Sequence, residues 1–234
     1  MILILASIYN ERAKSYVKQF PDSSASLITC SDIAEHKLKI FYPDFNNSEI
    51  TIAGRTLSVR EITGVINLLP VVLPEELFFF PEKEREYQSA EIQALLTFFL
   101  SALSCQVINK PSALSLNGNV NSHVNQIEFA IQCKFPVVKS LFDSSKVSSH
   151  FKAGIDEEIF EVDYFNAEII SNSTAETDDF VRKLASHAGV IYLKVFFSKM
   201  KKNIRFLRAS AIPDIENTAL HKAICNYLKI KSIP

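Results

Sequence analysis

Two carboxylate clusters, Glu82–Glu86 and Asp156–Glu161, are the first groups in this sequence able to do chemistry. Paired acids can move protons or hold a metal ion. Each cluster also has a plainer explanation, the first as charge at a helix start and the second as a solvated turn before a strand. Serine, histidine and aspartate are all present, but no Gly-x-Ser-x-Gly elbow exists. A Cys/His nucleophile pair is left open. Cys30, Cys105, Cys133 and Cys225 lie far apart, and no zinc pattern joins them to His36, His123, His150, His187 and His221. They read as small core residues of a cytoplasmic chain. His187, beside Gly189, stands at a helix end where terminal carbonyls are its natural partners. With five glycines in the whole chain, no glycine-rich phosphate loop can be assembled; Asn117-Gly118-Asn119 is a weak candidate for phosphate contact and reads better as a plain turn. No cofactor and no metal is expected.

The remaining candidates are aromatic or basic. Phe78-Phe79-Phe80 precedes a long helix, and Tyr164-Phe165 breaks the alternation of a strand, so one of that pair needs a partner off the core face. Both sets read as packing under a loop or as anchors for a peptide. Lys199, Lys201, Lys202 and Arg205 form a short basic run that suits a hairpin tip. A net charge of -1 gives no footprint for nucleic acid. The apolar start ends by Ile8 without a basic flank, and Ala94–Cys105 is about half the ~20 residues of a membrane span, so no membrane partner is expected.

The elements that must position these residues follow from periodicity. Ile2–Ala6 is a strand covered on both faces, Asn10 caps a helix over Glu11–Phe20, and Ala25–Cys30 is a second strand. That β-α-β opening favours a parallel sheet. His36–Tyr42 and Glu49–Ala53 are expected to form a hairpin, and Gly64–Leu69 another strand. Glu82–Ser104 is the strongest helix signal, followed by a strand at Cys105–Asn109, a helix at Ser122–Lys134 and a strand at Pro136–Ser140. After a linker come strands around Glu158–Ile170, a helix to His187 stopped by Gly189, a hairpin over Val190–Ala209 and a helix from Glu216. The fold class is α/β.

Four segments, in this order, carry a resemblance: Gly64-Val-Ile-Asn-Leu-Leu-Pro; Glu84-Arg-Glu-Tyr; Val107-Ile-Asn-Lys-Pro-Ser-Ala; and Asn125-Gln-Ile-Glu-Phe-Ala-Ile-Gln-Cys-Lys-Phe-Pro-Val. Leu184-Ala-x-x-Ala-Gly-Val-Ile-Tyr and Ile204-Arg-Phe-Leu-Arg-Ala-Ser-Ala extend it to the C-terminal part. The sequence resembles the ATP-grasp peptide ligases that macrocyclise microviridins and related graspetides. It departs from them at Leu68 and Leu69, where the family usually carries arginine, and near Ser122, where a lysine commonly starts the helix. The resemblance implies an ATP-grasp-like scaffold: a pre-ATP-grasp-like domain over 1–140, a linker over 141–153 and a remnant ATP-grasp domain over 154–234. The nucleotide-binding subdomain between them is expected to be missing.

The same resemblance places Phe196, Arg208 and Ser210 where the family holds magnesium with Asp, Glu and Asn. Magnesium takes oxygen ligands, phenylalanine supplies none, and arginine adds a fixed positive charge. A shift of the alignment by a residue or two brings no carboxylate, because Val190–Ile212 contains no Asp or Glu. The chain is therefore expected to be a non-catalytic protein that binds the leader or precursor peptide of a ribosomally made product. In outline it resembles the truncated ATP-grasp-like proteins of crocagin-type pathways. Carried over from the family, the docking surface comprises Phe160, Val162, Tyr164 and Phe165 with Asp178 and Arg182 of the following helix. Modifying enzymes of the same pathway and a homodimer are further expected partners. The alternatives are a residual ligase or amine transferase with a rearranged site, and a regulatory subunit of an intact ligase.

Overall fold

Four apolar residues in a row need cover on both sides, and the computed structural model buries all of them in β1 (Ile2–Leu5). The structure describes residues 1–21, 24–52, 54–113, 115–119, 122–138, 158–171 and 173–230. Asn10 caps α1 (Glu11–Val17), its side chain accepting from the Ala13 N–H. β2 (Ala25–Ile28), β6 (Gly64–Asn67) and β7 (Gln106–Ile108) join β1 in a parallel sheet of order β2-β1-β6-β7. The long helix α3 (Glu82–Ala102) packs Ile92, Leu96, Phe99 and Leu100 into the core beside Leu3, Leu5, Val65 and Val107.

The expected hairpin forms, over fewer residues than its alternation suggests. Only β3 (Leu38–Lys39) pairs with β4 (Glu49–Ile52), because α2 (Cys30–Asp32) runs into a π-helical turn at Ile33–Lys37. Local bonds outcompete the strand there. Thr29 and Asp32 form a capping box, and Lys37 Nζ lies 2.8 Å from Asp32 Oδ1. A third strand, β5 (Arg55–Ser58), completes this antiparallel sheet and had no sequence signal, since Leu57 is its one fully buried side chain.

Gly64 sits in β6 under the final helix. A Cβ there would come within 2.8 Å of Leu228 Cδ2 and 3.1 Å of Ile2 Cδ1. Gly64→Ala is expected to cost about 2 kcal/mol through overpacking. Urea unfolding checks this, and an unchanged midpoint would mean that Leu228 swings aside freely.

The second sheet is antiparallel, with order β11-β10-β8-β9. β8 (Glu158–Phe165) and β9 (Glu168–Ile169) join through Asn166 and Ala167, both at positive φ, the geometry of a tight hairpin turn. β10 (Tyr192–Met200) and β11 (Asn203–Ser210) form the next hairpin. α4 (His123–Gln132) and α5 (Ala175–Ala188) cover one face of the sheet, with Gly189 ending α5 at φ 65. In place of the strand expected at Pro136–Ser140, Val137 makes an isolated bridge to Phe206. Lys139 and Ser140 lie outside the described residues. α6 (Thr218–Tyr227) is capped by Asn217.

The chain forms two compact units, Met1–Asn119 with Ile212–Pro234, and Val120–Ala211. The linker expected at 141–153 lies outside the described residues. In the structure α4 packs on β11 within the second unit, and α6 belongs to the first. Among the described residues, no helix is long and apolar enough to cross a membrane.

Candidate functional site on the antiparallel sheet

Alternation along β8 and β10 sorts their side chains onto two faces. Phe160, Val162 and Tyr164 join Leu193, Val195 and Phe197 against Phe180, Val181 and Leu184 of α5. Glu161, Asp163, Tyr192, Lys194 and Phe196 point the other way. Registry then adds β11: Arg208 lies opposite Phe196, and Ser210 opposite Lys194. Phe196, Arg208 and Ser210, the three positions singled out by the sequence resemblance, thus share one face.

That face carries its own charge network. Lys194 Nζ lies 2.8 Å from Glu161 Oε1 and 4.0 Å from Asp163 Oδ2, with the lysine side chain 8% and the aspartate side chain 1% exposed. The Tyr192 hydroxyl donates to Asp163 Oδ1 at 2.8 Å. The Arg208 guanidinium carbon sits 4.1 Å from the centre of the Phe196 ring, a cation–π contact. Carboxylates do reach this face, from β8 and not from Val190–Ile212, and they are engaged by an ammonium and a phenol. Among the described residues no group of three or more His, Cys, Asp or Glu could hold a metal ion. The chemistry available is charge pairing and stacking.

The residues expected to dock a peptide are not all available on one surface. Phe160 is half-buried and stacks on Phe197, ring centres 5.3 Å apart, and Tyr164 is also half-buried. Val162 is wholly buried in the core and presents nothing to a ligand. Phe165 is buried on the face opposite Phe160 and Tyr164, which is how the strand houses both members of the Tyr164-Phe165 pair. Asp178 and Arg182 lie one turn apart on α5. Arg182 donates to the Ala167 carbonyl in the β8–β9 turn. Asp178 Oδ1 is buried and has no hydrogen-bond partner among the described residues.

Glu161, Asp163, Tyr192 and Lys194 were missed as a site. One sign was legible, a lone lysine within the apolar run Tyr192–Phe197. A buried cation needs a counter-charge, but only the register names it.

The other candidates resolve into packing. Cys225 Sγ lies 3.5 Å from His221 Nε2, and the Tyr16 hydroxyl 2.9 Å from His221 Nδ1, so a Cys/His pair does form. All three side chains are buried, and burial pushes the Cys225 thiol up, the reverse of what an activated nucleophile needs. Burial also lowers His221 from its ordinary 6.5. Protonation then favours the unfolded chain, so this contribution to stability is full above about pH 6.5 and is lost as pH falls below it. Melting temperatures from pH 7.5 to 5 should fall in the wild type and fall less in His221→Gln; equal slopes would remove His221 as the cause.

His187 stacks on Phe129, with ring centres 4.2 Å apart. Phe78 and Phe79 are exposed, while Phe80 packs on the core of the first unit. Asn117 is buried in its turn, with no hydrogen bond to its side-chain amide among the described residues.

No protein-family model and no curated protein matches the sequence. Solved structures do. The macrocyclase MdnC from Microcystis aeruginosa MRC, bound with precursor peptide MdnA, aligns over 97% of this chain and 99% of its own, with 11% identity and a TM-score of 0.73. A RiPP-associated ATP-grasp ligase from Chryseobacterium gregarium, in complex with ADP and a leader and core peptide, aligns over 95% and 91%, with 10% identity and a TM-score of 0.65. The ATP-grasp ligase PsnB, complexed with minimal precursor, Mg and ADP, aligns over 97% and 98%, with 12% identity and a TM-score of 0.65. At such identity the likeness shows the fold. This chain has the mixed α/β fold of the ATP-grasp peptide ligases.

Proposed function

We propose that this chain is a non-catalytic member of a peptide-modifying pathway, one that binds the leader of a precursor peptide and presents or shields it for separate enzymes. The observation that carries the reading is the β8–β10–β11 face. Where the family resemblance puts a magnesium site, Arg208 covers Phe196 and the nearby carboxylates are engaged by Lys194. A divalent cation would meet the fixed positive charge of Arg208 there.

Peptide binding is supported by α5. Asp178 lies on this helix beside a hairpin that Arg182 ties to it. Phe160 and Tyr164 offer part of their rings nearby on β8. Val162 and Phe165 drop out of the docking set.

Two titrations test the reading. Isothermal calorimetry with the precursor peptide encoded beside this chain should give saturable binding, and no detectable heat would sink the peptide role. A thermal melt with ATP and magnesium should show no shift, because only a ligand of the native state raises stability, by about 2.7 kcal/mol at a hundred times its Kd. A clear shift would restore the residual-ligase alternative.

A further inference from the structure

The antiparallel sheet has two edges, and the chain treats them in opposite ways. Along β11 the outward backbone groups are taken up. Gln126 Oε1 accepts from the Ala209 N–H at 2.7 Å, and its Nε2 donates to the Ala209 carbonyl at 3.2 Å. His123 Nε2 lies 2.9 Å from the Leu207 carbonyl oxygen. The Phe206 N–H donates to Pro136 O at 2.8 Å, and the Val138 N–H to Phe206 O at 3.1 Å. An added strand would find no free group at these positions.

The β8 edge differs. β9 covers only its end, pairing with Tyr164 and Phe165. Just before them, the Ile170 N–H donates to Asp163 O and the Asp163 N–H donates to Ser171 Oγ, both at 2.8 Å. Backbone groups alternate in direction along a strand, so those of Glu161 and Ile159 point away from β10 as Asp163's do. Among the described residues nothing pairs with them. The Ile159 side chain is 50% exposed beside this opening.

A row of unused donors and acceptors is a template for an extended chain. Its charge decides which chain. From Glu158 to Ile170 the sequence holds Glu158, Glu161, Asp163 and Glu168, and no Lys, Arg or His; Lys194 answers Glu161 and Asp163, while Glu158 and Glu168 stay exposed. A second copy of this edge would bring like charges together. A basic segment with alternating apolar residues satisfies both the backbone and the field.

We propose that an extended, basic segment of the bound peptide adds as a strand to the free edge of β8 at Ile159 and Glu161. This rests on the peptide-binding reading and specifies how part of the peptide is held.

The probe is a seven-residue peptide, acetyl-Lys-Val-Arg-Val-Arg-Val-Lys-amide, followed by fluorescence anisotropy and by amide hydrogen exchange. Binding should slow exchange at Ile159 and Glu161. Replacing its basic residues by glutamate should weaken it at least about tenfold. Ile159→Pro removes only an outward N–H and spares the ladder to β10, so it should weaken the probe by about tenfold. Should that variant fail to fold, the same bonds are tested from the peptide: methylating the valine nitrogens or the basic-residue nitrogens should abolish binding for one set only. No binding of the basic probe, equal binding of the acidic one, or equal effects of the two methylations overturns strand addition. The precursor peptide in the same assay separates the two readings. If it binds wild type and Ile159→Pro alike, strand addition fails and peptide binding stands; if it does not bind wild type, both fail.

Discussion

Phe197→Ala is expected to destabilise the second unit by about 4 kcal/mol, the largest single loss foreseen for this chain. Phe197 is fully buried at the centre of an aromatic cluster. Its ring centre lies 5.3 Å from Phe160, 5.6 Å from Phe135, 6.2 Å from Phe180 and 6.5 Å from Phe206. Truncation removes transfer energy and the edge and stacking contacts, and it leaves a cavity whose walls are rigid rings on three different elements. Phe160→Ala at the half-exposed rim of the same cluster should cost only about 1–2 kcal/mol. Urea unfolding, with amide exchange read at Leu193 and Val195, measures both. A loss at Phe197 no greater than at Phe160 would show that the pocket collapses and that the ring is not central. Because Phe160 rests on Phe197, the first variant should also weaken precursor binding.

Lys194→Met is expected to lose about 3 kcal/mol, although methionine fills a similar volume. The reason is what it leaves behind. Asp163, 1% exposed, would keep its phenol partner but lose the ammonium 4.0 Å away, and Glu161 would lose a contact of 2.8 Å. Stranding a buried carboxylate costs more than the pair contributes, so the penalty belongs to the broken set. Adding Asp163→Asn to Lys194→Met should therefore recover part of the loss, a coupling visible in a double-mutant cycle. If the double variant is as unstable as the sum of the singles, Lys194 and Asp163 act independently and the electrostatic account fails. The same pair of variants bears on the proposed function. On the proposed non-catalytic reading, Lys194→Met should melt at the same temperature with and without ATP and magnesium, since Arg208 still stands over Phe196.

How much of this could be read in advance depended on distance along the chain. The capped helices, the buried β1 and the αL stop at Gly189 were legible because each signal spans only a few residues. β5 was not, since a four-residue strand with three partly or fully exposed side chains has no period to detect. The π-helical turn at Ile33–Lys37 was missed because Asp32, Thr29 and Lys37 hold it with side-chain bonds that hydropathy does not record. The candidate site was half legible. The absence of acids from Val190–Ile212 is plain in the sequence, but the arrival of Glu161 and Asp163 on the same face is set by the β8–β10 register.

The sequence by itself determined most of the strands and helices, the cap of α1 at Asn10, the stop of α5 at Gly189, and that Val190–Ile212 carries no acid. Tertiary structure alone decided which strands are neighbours. From that follow the counter-ions of Lys194, the separation of Phe165 from Phe160 and Tyr164, the inert pairing of Cys225 with His221, and the closed and open edges of one sheet. The physical reason is common to all of them. Periodicity and capping are local properties of a few consecutive residues, whereas a charge, a thiol or an unpaired backbone amide takes its character from groups that folding brings to it from elsewhere in the chain.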